Sequence, residues 1–90
     1  MRRTITVAHA GASTYRVTVQ EDGERTEHEV TITPEHVQRY APGTTTKRLL
    51  ETSFEFLLDR EPKEAILTQF ELPVIERYFP DYPRKIREMV

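Results

Sequence analysis

Three histidines, His9, His28 and His36, are the side chains best suited to hold a metal or to move a proton near neutral pH. A zinc-binding helix sets two imidazoles at i and i+4, and the HExxH pattern places a glutamate between them. His9 and His28 fall in strand-like sequence, and His36 follows His28 after a turn signal, so no two share a helical face. Glu27 and Glu29 flank His28, but neighbours on a strand point to opposite faces. The residues therefore read as a half-buried His28 beside Val17, with surface positions for His9 and His36, and no metal site is assigned.

Gly43-Thr44-Thr45-Thr46-Lys47 has the ingredients of an anion site at a helix start: free amides, hydroxyls, the positive end of a helix dipole and a lysine. The phosphate-loop pattern GxxxxGK[ST] is absent, and a threonine before a helix is first of all a cap. A catalytic nucleophile would need a base beside it, or two carboxylates with separated pKa values. Ser53 sits instead within an apolar helical stripe, and Glu51, Glu55 and Asp59 lie on the polar side of the same helix. No catalytic residue and no cofactor is assigned. Tyr78, Phe79 and Tyr82 stand close together among Pro80 and Pro83. Rigid aromatics of this kind serve a protein partner well, and at helical spacing they also serve as core. The basic cluster Arg84, Lys85 and Arg87 is diluted by Asp81 and Glu88 and reads as a solvated helix end.

The elements that position these residues divide the chain at about Thr33. Tyr15, Val17 and Val19 alternate with Arg16, Thr18 and Gln20, then Asp22-Gly23 intervenes, then Thr26, His28, Val30 and Ile32 alternate again. Asp-Gly supplies the positive φ angles of a type I′ turn, so this is a two-residue hairpin. The turn fixes the register: Val17 faces His28, Tyr15 faces Val30, and Arg16 faces Glu29 on the other side of the sheet. Thr4 to Val7 form a further strand beyond the flexible stretch Ala10-Gly11-Ala12-Ser13, giving a sheet of three antiparallel strands.

Thr33-Pro34-Glu35 opens a short helix, with Thr33 as cap and Pro34 at the first helical position. It stops near Ala41-Pro42-Gly43, after which one of Thr44, Thr45 and Thr46 caps the longest helix, running to about Arg60. On that helix Phe56, Leu49, Ser53, Leu57, Leu50, Phe54 and Leu58 cover an arc of about 200°, twice the stripe of an ordinary surface helix. Two surfaces must cover it: the apolar face of the sheet, and then the C-terminal segment, a second copy of the chain, or both. Pro62, Pro73, Pro80 and Pro83 cut the remainder into helices of about two turns, which are stable only when docked.

The expected fold class is thus α+β. A short antiparallel sheet packs on one long central helix, covered by proline-bounded C-terminal helices, in one domain that is β-rich over 1–33 and helical over 34–90. Thirteen basic side chains against 15 acidic ones leave a net charge of −2, without the basic stripe of a phosphate-binding protein. Cysteine is absent, which suits the cytoplasm and removes any disulfide or thiolate site. Met1-Arg2-Arg3 leads into alternating threonine and isoleucine, so neither a signal peptide nor a membrane span is expected.

The segment from Glu29 to Arg60, a strand, a helix opening Thr-Pro-Glu, a turn at Gly43 and a second helix, resembles a ribbon-helix-helix DNA-binding unit as found in many bacterial antitoxins. That resemblance implies a dimer whose paired strands enter the major groove. The outward strand residues would then be Glu27, Glu29 and Thr31, with Arg16 and Arg25 as the basic side chains nearby, and carboxylates there repel a phosphate backbone. The residues taken together favour a protein-interaction or regulatory module without catalytic activity. Its partner is a protein, itself included as a homodimer. A DNA-binding regulator and a small enzyme without a legible motif are the alternatives. The central-helix assignment predicts that Leu57→Ala lowers unfolding free energy in urea by about 2–5 kcal/mol, and a change near zero would remove that helix from the core.

Overall fold

The computed structural model describes residues 3–90. Met1 and Arg2, on which the reading of the chain's start partly rests, lie outside the described residues. The order is β1 (Arg3–His9), β2 (Thr14–Glu21), β3 (Glu24–Thr31), α1 (Pro34–Tyr40), α2 (Thr46–Leu58), a 3-10 turn (Lys63–Ala65), β4 (Gln69–Glu71), α3 (Val74–Tyr78) and α4 (Tyr82–Met89). The fold is α+β, as the sequence implies. It departs from the expectation in having four strands rather than three. They lie in the order β1-β2-β3-β4, and β4 runs parallel to β3, so the sheet is mixed. Two strands can pair in parallel only after a long crossover, which α1 and α2 provide.

The hairpin forms as the turn dictates. Asp22 and Gly23 both take positive φ, 52° and 81°, and Val17 pairs with His28, Tyr15 with Val30 and Arg16 with Glu29. Val17, Val19, His28 and Val30 are buried on the inner face, while Arg16, Gln20, Glu27 and Glu29 are exposed on the outer one.

The helix caps also follow the sequence. Thr33 Oγ1 accepts from the His36 amide, and His36 Nδ1 accepts from the Thr33 amide. This is a capping box in which an imidazole replaces the usual glutamate, and it gives His36 a structural task in place of a bare surface position. Thr45 caps α2, its hydroxyl accepting from the Arg48 amide. The helix ends at Leu58, two residues earlier than expected, where the Arg60 and Glu61 amides both turn back to the Leu57 carbonyl.

The wide apolar arc of α2 is covered within the chain. Leu49, Leu50, Ser53, Phe54, Phe56 and Leu57 are all buried. Phe54 lies against the sheet side, with its ring centroid 5.3 Å from His28 and 6.2 Å from Phe70 of β4. Phe56 points the other way, edge-on to Tyr82 of α4 at 5.3 Å and to Phe79 at 5.9 Å. Of the covers foreseen for the second side, the C-terminal segment is thus the one observed. Arg60 fastens it: its guanidinium lies 3.6 Å from the Phe56 ring centroid and reaches Asp81 at 2.9 Å.

Buried polar groups knit the layers together. The Tyr82 hydroxyl and the Ser53 hydroxyl hydrogen bond at 2.7 Å, and the Tyr40 hydroxyl donates to Glu76 at 2.8 Å. Burial, and then the Glu76 carboxylate, push the Tyr40 phenol up to about 12. Burial also raises the Tyr82 phenol. An unfolded tyrosine ionises near pH 10, so the native chain keeps protons that the unfolded chain gives up. The stabilisation is complete below about pH 10 and is lost as pH rises towards about 12. Urea midpoints should therefore fall across that window, and fall less steeply for Tyr40→Phe; a flat wild-type profile would contradict the burial of both phenols.

Candidate functional site

An open apolar groove of about 170 Å³ lies on the surface where the end of α2, the connecting segment 61–67, β4 and α3 meet. Its floor is built from core side chains, Leu57, Ile66, Phe70 and Ile75, all buried. Its rim is formed by Leu67 and Tyr78, which are 45% and 66% exposed. Half-buried Val74 and Phe79 complete the walls, and Glu61 is the one charged residue along it.

Local structure explains why Leu67 faces outward. The buried His28 ring hydrogen bonds the Leu67 carbonyl through Nδ1 at 2.8 Å and meets the Thr26 hydroxyl through Nε2, also at 2.8 Å. A carbonyl only accepts, so Nδ1 carries a proton and donates to Leu67, while the Thr26 hydroxyl is the partner of Nε2. The Leu67 backbone is thereby tied inward while its side chain projects out. On the next residue, the Thr68 carbonyl accepts from the Glu29 amide at 2.8 Å, which starts the β3–β4 pairing.

At the other end of the connection, Lys63 is buried with its ammonium 2.9 Å from Glu64 and 3.8 Å from both Glu21 and Glu24. The Glu64 carboxylate raises the lysine's pKa and is itself held low by the ammonium. Lys63 thus pins the 3-10 turn to the tip of the β2–β3 hairpin. The rim opposite is set by α3, which is closed by the Phe79 amide on the Ile75 carbonyl and held by Glu76, the acceptor for both Tyr40 and Arg39.

The residues singled out in the sequence divide between core, caps and surface. Of the three clustered aromatics, Tyr78 and Phe79 line the groove, while Tyr82 is fully buried in the core against Phe56, Tyr40 and Ser53. Thr44 and Thr45 end the α1–α2 connection, and Thr46 and Lys47 are the first two residues of α2. Thr44 donates its amide to Ala41, the Thr45 hydroxyl is engaged by the cap, and Lys47 is exposed.

The histidines are dispersed: His9 stacks on Tyr15 at 4.6 Å, His28 is in the core and His36 caps α1. Among the described residues no group of three or more His, Cys, Asp or Glu side chains is placed to hold a metal ion. Sequence reasoning gave Glu61 no role and counted Leu67 with the apolar C-terminal segment expected to cover α2, whereas it stands exposed on the rim. The signal for Leu67 was its place among residues bounded by Pro62 and Pro73, too short a stretch to bury every apolar side chain it holds.

Comparison with known proteins supplies no further assignment. No protein-family model, no curated protein and no solved structure matches the chain. The groove itself is what the residues provide. Because its rim is solvent-exposed, Tyr78→Ala should change unfolding free energy by no more than about 0.5 kcal/mol, while Phe70→Ala in the floor should cost about 3–5 kcal/mol. Equal losses in urea unfolding would show that Tyr78 belongs to the core.

Proposed function

We propose that the chain is a protein-interaction module that takes one large apolar side chain of a partner segment into the groove between α2, β4 and α3. The observation that carries this reading is the pairing of a buried, packed floor with two large exposed apolar side chains, Leu67 and Tyr78, on its rim. Engineered cavities of about 150 Å³ hold a benzene ring, so the groove has room for a leucine or an aromatic side chain. The anchoring group is apolar because the floor offers no polar side chain. Glu61 stands at the edge, and among the described residues no cation pairs with it. A lysine or arginine next to the partner's apolar anchor would match that carboxylate.

Other features support a protein partner over the alternatives. The open face of the sheet presents Glu27 and Glu29, which suits a phosphate backbone poorly. β3 has neighbours on both sides, β2 and β4, whereas the ribbon-helix-helix resemblance calls for a strand free to pair with a second copy. No helix among the described residues is long and apolar enough to cross a membrane, and this reading keeps the cytoplasmic location that a cysteine-free chain suits.

The test is selection from a phage-displayed library of random dodecapeptides against the immobilised chain. Selected peptides should share a large apolar residue with an adjacent lysine or arginine, and should lose binding at least tenfold to Leu67→Asp and to Tyr78→Ala, both of which remain folded by circular dichroism. Peptides without that pattern, or bound equally by the two variants, would overturn the reading.

A further inference from the structure

We infer that the exposed edge of β1 is a self-association surface, on which a second copy of this chain adds its own β1 antiparallel across a two-fold axis through Thr6. β1 ends the sheet, and no strand among the described residues pairs with its outer edge. Natural edges are commonly blunted by proline, lysine, a bulge or shortness. β1 has no proline, lysine or bulge and is seven residues long, RTITVAH; its one permanent charge, Arg3, is at its end and is paired within the chain with Glu21, and the strand pairs with β2 in unbroken register from Arg3 to His9.

The hydrogen-bond phase of the sheet fixes how such an edge must pair. The Ala10 amide donates to the Thr14 carbonyl, and the Ile32 amide donates to the Ser13 carbonyl. Hydrogen-bonded pairs alternate with non-bonded ones along an antiparallel ladder. The even-numbered residues of β1 therefore turn their amides and carbonyls towards β2, and the odd-numbered ones, Arg3, Ile5, Val7 and His9, turn theirs outward. Two outward-facing strands overlap over their full length only when the axis passes through Thr6.

Ile5 then bonds Val7 of the second copy, Arg3 bonds its His9, and the reciprocal pairs repeat, giving up to about eight main-chain hydrogen bonds. On the inner face the half-buried Ile5 and Val7 gain each other's cover. On the outer face Thr6 meets Thr6 and Thr4 meets Ala8, with no like charges opposed.

The flank beside this edge is also balanced in charge. Arg3, Arg48, Glu51 and Glu55 surround a shallow hollow against Ile5, two cations and two carboxylates. The hollow is neutral overall, so bringing two copies together across this edge opposes no like-charged patches. Because β1 and β4 are opposite ends of the sheet, the dimer leaves both grooves free. It would present two binding sites at the far ends of one continuous sheet, an arrangement that raises avidity for a repeated or paired ligand.

Cysteine scanning tests the axis directly, since the chain has no thiol of its own. Residues facing each other in a non-hydrogen-bonded pair have Cα atoms about 4.5 Å apart, within the range a disulfide spans. Two copies of residue 4 would lie four residues out of step, about 13 Å apart. Under mild glutathione oxidation Thr6→Cys should form a covalent dimer at least roughly tenfold faster than Thr4→Cys. Sedimentation equilibrium should show a concentration-dependent dimer for the native chain and a monomer for Thr6→Lys, whose urea midpoint matches the native one when both are diluted to the monomer. Equal cross-linking at both positions, or a native chain that stays monomeric at millimolar concentration, would overturn the inference. Peptide binding at the groove is read separately, on the monomeric Thr6→Lys variant, so failure of one surface is distinguishable from failure of the other.

Discussion

The constraint on which the fold depends is that α2 is apolar around more than half of its circumference. A helix of that kind has no stable position at a surface, and in a chain of 90 residues it must be enclosed by whatever else the chain makes. Phe54 and Phe56 show how the demand is met. Two residues apart on a helix, they point in nearly opposite directions; one packs on the sheet beside His28 and Phe70, the other on Phe79 and Tyr82. The sheet and the C-terminal helices are therefore the two walls of one core. Neither α3, with five residues, nor α4, with eight, would hold its shape without that contact.

Enclosure from two sides leaves a seam where the walls meet, and the groove lies on it. Here the segment after α2 passes from the helical side to the sheet side with little regular structure of its own. Its position is set by side chains: Arg60 on Phe56 and Asp81, Lys63 among three carboxylates, and His28 on the Leu67 carbonyl. Two of these three groups are buried, and each has partners for its polar atoms. A rim supported in this way is pre-organised, which limits the ordering cost of taking a partner's side chain.

Much of this was legible in the sequence wherever a local signal determined the structure. Asp22-Gly23 fixed both the hairpin and its register, and Thr33-Pro34 marked the start of α1. The spacing of leucine and phenylalanine marked α2 and the width of its buried face. What was not legible depended on contacts distant in sequence. β4 is only three residues, Gln69-Phe70-Glu71, without alternation long enough to read, and it exists because β3 supplies a parallel neighbour some forty residues earlier. The role of His28 likewise depends on Leu67, so the sequence showed a half-buried ring and not the clasp it forms. For the aromatics, the sequence left core and partner contact open, and the structure divides them, with Tyr82 in the core beside α2 and Tyr78 exposed. Tyr78 and Phe79, at the end of a five-residue helix, gave no helical phase.

Native-state amide hydrogen exchange, followed residue by residue at increasing low concentrations of urea, tests the enclosure of α2 most directly. If α2 is held between two walls that stabilise each other, the amides of Leu50 to Phe56 should exchange only through global unfolding. Their free energies and urea dependence would then merge with those of Val17, Val19 and Val30 in the sheet. Exchange of the α2 amides through local opening, well below the global free energy and independent of the sheet, would show that the helix is not the shared core of the fold.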